Sequence, residues 1–144
     1  MTNINPSLSY RESAVASASP LKLVILLYEQ AMEDLRRALA SLAAGDIEGR
    51  TRGINHALVI LGQLQGTLDK ERGGSVAENL DRFYEQVRAG LMEAQRRQDP
   101  GLLEQQIRDL GAVYGAWCEV EKAMIPAQSQ NRADVNSHNT EWSA

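Results

Sequence analysis

Several features that often define a protein's chemistry are scarce in this sequence. Cys118 is the single cysteine, which excludes an internal disulfide and is typical of a reducing compartment. The longest apolar run, from Leu23 to Tyr28, is far too short to span a bilayer, so we expect no membrane insertion. Lys and Arg are scattered along a chain whose net charge is -4, which argues against a nucleic-acid partner.

The residue patterns of metal, cofactor and catalytic sites are also missing. The two histidines, His56 and His138, lie far apart in the sequence, and neither belongs to a Glu-x-x-His pair of the di-iron type. Gly73 and Gly74 lack the Lys-Ser or Lys-Thr that a phosphate-binding loop requires. We therefore expect no metal, no cofactor and no enzymatic activity.

Helix start and stop signals, together with the spacing of apolar residues, predict four helices of similar length. Ser19 and Pro20 are a strong helix start, and Gly45 with Asp46 indicates a stop followed by a new cap. The sequence from Ser75 to Glu78 reads as a capping box after Gly73 and Gly74. The predicted helices span about residues 20–43, 47–72, 76–98 and 100–125. Their short connections predict an all-α, antiparallel up-down-up-down four-helix bundle over residues 20–125.

Both ends of the chain differ from this bundle. Residues 1–19 contain isolated apolar residues, including Leu8 and Tyr10, so we expect an extended arm that can dock on a surface. This arm lacks the basic start and the apolar stretch of a secretory signal, which predicts a cytoplasmic protein. Residues 126–144 have almost no apolar content except Trp142, and we expect a flexible, disordered tail.

The predicted helices carry more apolar surface than packing along one face requires. On the second helix, Ala57, Ile60 and Leu64 form a stripe offset from another apolar stripe, which indicates either a covering segment or a partner. Glycines one turn apart suggest close approach of another backbone, from a partner or from within the bundle; these pairs are Gly62 with Gly66 and Gly111 with Gly115.

Two further functions fit a helical bundle. A phosphotransfer domain would use a histidine on a helix, here His56, although the sequence lacks the Lys that such domains place just after it. A self-associating bundle would use the second apolar stripe to form a homodimer.

Three motifs in order resemble the flagellar secretion chaperones of the FliS family. They are Tyr10 followed by SASP and LLYEQA, then INHALVILGQLQGTLDKERGGSVAENLDRFYEQV, then Ala116-Trp117, and together they cover about residues 8–120. Departures from the family pattern are Glu29-Gln30, where Asp-Gly is usual, and Gln86-Val87, where Tyr-Met is common. The positions that follow the pattern are Tyr10, Ser19, Pro20, Leu27, Tyr28, Ala31, Ile54, Ala57, Leu68, Asp69, Gly73, Gly74, Ala77, Asn79, Leu80, Tyr84 and Trp117.

The resemblance implies a cytosolic export chaperone. Such a protein binds the disordered C-terminal segment of flagellin in apolar grooves, prevents premature polymerisation and delivers flagellin to a component of the flagellar type III export gate. The resemblance also implies that the N-terminal arm is a removable lid on a groove. We expect Leu64→Asp to abolish flagellin capture while leaving helicity intact. The residues expected to contact the partner are Leu8, Tyr10, Ala57, Ile60, Leu64, Val87 and Leu91.

Overall fold

A computed structural model describes residues 19–124 of the chain, and these residues form four α-helices. The helices are α1 (Pro20–Ala43), α2 (Ile47–Gly66), α3 (Lys70–Arg97) and α4 (Pro100–Met124). The predicted all-α four-helix architecture is confirmed. The arm before Ser19 and the tail after Pro126 lie outside the described residues.

Side-chain caps define where the helices begin. The Ser19 hydroxyl accepts a hydrogen bond from the Lys22 backbone N–H at 3.1 Å, and Pro20 occupies the first turn, as predicted. The Asp46 carboxylate accepts from the Gly49 N–H at 3.0 Å at the start of α2. Each cap satisfies a backbone donor that has no partner inside its own helix.

The predicted end of the second helix is wrong, whereas the helical backbone is interrupted at Gly74, just before the predicted start of the third helix. α2 ends at Gly66 rather than near residue 72, because the Thr67 hydroxyl donates to the Leu64 carbonyl and Asp69 caps a new helix through the Arg72 N–H. α3 therefore begins before the predicted capping box. Gly74 nevertheless interrupts α3, since its φ of 51° and ψ of -128° leave the helical region.

The four helices pack as a ring in which each contacts the two next to it. α1 contacts α2 and α4, and α3 contacts the same two helices. Cross-helix pairs give the direction of packing: on α2 and α3, Arg50 bonds to Gln95 while Gln65 bonds to Asp81. Rising numbers on one helix meet falling numbers on the next, so these neighbours are antiparallel, as the short connections predict.

A single hydrophobic core fills the centre of the ring. The second stripe predicted on α2 faces this core: Ala57 and Leu64 are fully buried and Ile60 is 5% exposed. Both stripes of α2 are thus parts of one broad inward face, because α2 must cover both α1 and α3. None of the four described helices is long and apolar enough to cross a membrane.

Close packing of two helices occurs at a glycine that the sequence patterns did not single out. A Cβ on Gly53 would lie 2.7 Å from the Asp34 carbonyl oxygen, so α1 and α2 approach each other closely here. Around Gly66 and Gly115, by contrast, no described atom lies within 4 Å of such a Cβ, and Gly62 meets only the Arg88 guanidinium at 4.0 Å. These glycines therefore do not serve tight packing within the described bundle.

Candidate functional site

Two cavities lie side by side where α1 and α3 begin and α2 and α4 end. One has a volume of about 340 Å³ and the other about 520 Å³. Val24, Thr67 and Trp117 line both cavities. We treat the two cavities as one surface and call it the Trp117 groove.

Apolar side chains from three helices form most of the Trp117 groove. Most of them are only partly buried, which leaves apolar surface available to another chain. Val76, at the start of α3, is 64% exposed. Besides the three shared residues, the apolar lining consists of Pro20, Leu21, Leu23, Leu68, Val76, Ala77 and Leu80.

A buried pair of tyrosines lies beneath this groove. The Tyr28 hydroxyl on α1 donates to the Tyr84 hydroxyl on α3 at 2.9 Å, with ring centroids 6.1 Å apart. Burial raises the pKa of both hydroxyls above the ordinary tyrosine value, and the neighbouring Tyr28 raises that of Tyr84 further. Both side chains therefore stay neutral and join the two diagonal helices.

Trp117 carries a buried polar atom beneath this apolar surface. Its indole Nε1 is buried and has no hydrogen-bond partner among residues 19–124. The indole N–H is close enough to the Tyr28 hydroxyl to lower its pKa, against the larger effect of burial. The N–H therefore lies beside the buried tyrosine pair and is not exposed at the groove.

Charged side chains border the groove at the α2–α3 connection. The Lys70 ammonium lies 3.2 Å from the Asp81 carboxylate, and Arg72 lies 3.7 Å from Asp69. Hydrogen bonds from Lys70 and then Gln65 lower the pKa of Asp81. These exposed pairs form a polar rim around an apolar surface, as is common at protein interfaces.

Most residues expected to contact a partner lie in the core instead. Ala57, Leu64 and Leu91 are fully buried, while Ile60 is 5% and Val87 is 1% exposed. Contact of these side chains with a partner stays a prediction, and it would require the bundle to open. The expectation that Leu64→Asp would preserve helicity is inconsistent with this burial, because an unpaired carboxylate would enter the core. Leu8 and Tyr10 lie outside the described residues.

His56, the residue of the phosphotransfer alternative, lies away from the Trp117 groove. It occupies the N-terminal half of α2, where its side chain is 51% exposed and its Nδ1 contacts the Asp34 carboxylate. Phosphorylation of His56 stays a prediction. Among residues 19–124, no three His, Cys, Asp or Glu side chains converge to hold a metal ion.

Sequence reasoning missed most of the groove as a site. Leu68, Leu80 and Trp117 are among the positions that follow the family pattern, but the sequence did not single them out as a binding surface. Their role depends on where helices end relative to one another, since partly covered apolar residues concentrate at those ends. The combination of Asp69 as a cap with the apolar residues around it was the signal that could have revealed the groove.

Comparison with known proteins places this fold in a family. The model of the family described as flagellar protein FliS matches residues 3–124. The chain is 37% identical over 106 residues to flagellar secretion chaperone FliSB of Pseudomonas aeruginosa, covering 74% of this chain and 84% of the relative. It is 34% identical over 110 residues to flagellar secretion chaperone FliS of Salmonella typhimurium, covering 76% and 82% respectively.

A third relative, flagellar secretion chaperone FliS of Vibrio cholerae, is 30% identical over 109 residues, with 76% of this chain and 80% of the relative covered. The family match includes all four helices and every residue that lines the Trp117 groove. The chain belongs to the FliS family of flagellar proteins.

Proposed function

We propose that this protein is a cytoplasmic flagellar export chaperone that holds the disordered C-terminal segment of flagellin in the Trp117 groove. Holding that segment prevents premature polymerisation and presents flagellin to a component of the flagellar export gate. The observation that carries the proposal is the groove itself, an apolar surface left partly uncovered at the ends of helices. Family membership supports the same function.

The groove suits an amphipathic segment that folds as it binds. An apolar helix face can cover Val24, Leu68 and Leu80, while its polar face remains in water. Burial stabilises such a complex by about 25 cal/mol per Å² of apolar surface, and this must exceed the cost of ordering the segment.

The N-terminal arm is attached directly at the edge of the groove. Pro20 lines the larger cavity, and the arm precedes it in the chain. An arm joined at this point has a high effective concentration at the groove, so weak apolar contacts suffice to cover it. We therefore assign Leu8 and Tyr10 to a lid that flagellin displaces.

Val76 offers a test that does not disturb the core. It is 64% exposed and lines the groove, whereas Val59 on α2 is 57% exposed and does not line it. Burying one valine contributes about 1.5 to 3 kcal/mol, so Val76→Glu is expected to weaken binding of a flagellin C-terminal peptide at least about tenfold. The matched variant Val59→Glu is expected to bind like the original protein.

Calorimetric titration of the peptide measures both variants, and circular dichroism checks that each remains helical. Equal affinity for the two variants would contradict the assignment of the groove. Removal of residues 1–18 adds a second measurement: if the arm is a lid, the shortened protein binds the peptide more tightly. Weaker binding after removal would instead show that the arm holds the client.

A further inference from the structure

A polar cavity lies in the half of the bundle away from the Trp117 groove. It has a volume of about 620 Å³ and is enclosed by the C-terminal half of α1 and the N-terminal half of α2. Gly49 and Gly53, which carry no side chains, line its α2 side. Because most of its lining residues have polar or charged side chains, this cavity can accommodate a small polar group.

A buried carboxylate and an exposed imidazole meet in this cavity. The side chain of Asp34 is 6% exposed, and its two oxygens contact His56 Nδ1 and the Gln30 amide, the latter at 2.9 Å. A buried carboxylate is stable only with such partners. Because Asp34 holds Nδ1, it fixes the orientation of the ring and leaves Nε2 for a partner outside this pair.

The cavity lining carries several hydrogen-bond donors that are not yet used. Of the two carboxylates in its lining, Asp34 is occupied as above, and Asp46 accepts the capping bond from the Gly49 N–H. The Arg52 guanidinium has no hydrogen bond or ion pair within the described part of the chain. Arg37 pairs with Glu33 through one nitrogen, and its guanidinium has further N–H groups.

We propose that this cavity binds an oxyanion, such as a carboxylate or a phosphate monoester, between the Arg52 guanidinium and His56 Nε2. A guanidinium presents parallel N–H donors that match two oxygens of either group. In its protonated form, His56 donates to Asp34 through Nδ1 and to the anion through Nε2. Asp34 thus positions the ring, while Arg52 and His56 contact the ligand. The site is independent of the Trp117 groove and of its client.

Nuclear magnetic resonance of the His56 ring tests this proposal with the full chain. Inorganic phosphate and sodium acetate are titrated separately at constant ionic strength, and the other histidine, His138, serves as an internal reference. At least one anion is expected to shift the His56 signals saturably, with a dissociation constant of about 1 mM or tighter.

Two arginine variants separate a site from general attraction of anions. Arg52→Gln is expected to weaken anion binding at least about tenfold, since it removes the charged donor pair. Arg108→Gln on α4 is the matched control and is expected to bind normally, because within residues 19–124 this exposed arginine bonds only to the Gln105 side chain. Saturation by phosphate alone identifies a phosphate ligand, and saturation by acetate alone identifies a carboxylate. Shifts that never saturate, or that are equal in both variants, would overturn the proposal.

Discussion

Gly53→Ala is expected to destabilise the bundle although alanine is the better helix former. The added Cβ would lie 2.7 Å from the Asp34 carbonyl oxygen and 3.0 Å from the Ala38 Cβ. The carbonyl belongs to the α1 backbone, so relief requires the two helices to separate rather than one side chain to turn. Such overpacking costs about 1 to 3 kcal/mol.

Helix propensity opposes this cost and sets the net effect. Replacing glycine by alanine inside a helix stabilises it by about 1 kcal/mol. The net expectation for Gly53→Ala is therefore a loss of up to about 2 kcal/mol in the free energy of unfolding. Gly62→Ala on the same helix has only the Arg88 guanidinium at 4.0 Å, so it is expected to gain up to about 1 kcal/mol.

Urea unfolding followed by circular dichroism measures both variants against the original chain. The two glycine substitutions are chemically identical and lie on one helix, so their difference reports packing and not propensity. A Gly53→Ala protein as stable as Gly62→Ala would refute the close approach of α1 and α2. An unstable Gly62→Ala protein would show that a second chain or a terminal segment packs against that glycine.

Two further predictions concern the tyrosine pair and the start of α3. Because the folded-state pKa values of Tyr28 and Tyr84 are raised above the unfolded value of about 10, unfolding releases protons above that pH, and stability is expected to fall as pH rises past it. Urea unfolding across this range measures the loss, which should shrink in Tyr84→Phe; an unchanged slope would contradict the role of the pair. Asp69→Ala is expected to cost about 1 kcal/mol because it removes the cap of α3, whereas Ser75→Ala is expected to cost less. If Ser75→Ala loses more stability than Asp69→Ala in thermal unfolding, that result would support the predicted capping box instead.

Capping interactions within a few residues were sufficient to predict the number and order of the helices. Ser19, Pro20 and Asp46 act through the next few backbone amides, so their effect is readable without knowledge of distant residues. The same reliance on nearby signals explains why the end of α2 was predicted wrongly. Gly73 and Gly74 are the stronger stop signal in sequence, while the Thr67 hydroxyl and the Asp69 cap end one helix and begin the next.

The spacing of apolar residues identified which of them share a helix face, but not whether that face packs in the core or against a partner. Ile60 and Leu64 were expected at a partner surface, yet they are in the core, because α2 packs against both α1 and α3 and buries a wide face. The Trp117 groove lies at the ends of helices, where Val24 and Leu80 are only partly covered. How the helix ends meet depends on contacts throughout the bundle.

The pairing of Asp34 with His56 illustrates the same division between sequence and tertiary structure. The sequence determined that each residue lies on a helix, and family motifs determined the membership of the chain. Only the packing of α1 against α2 at Gly53 decided that these two side chains meet in a polar cavity. Helix formation depends on interactions a few residues apart, whereas sites between helices depend on register and distance between segments that are remote in the chain.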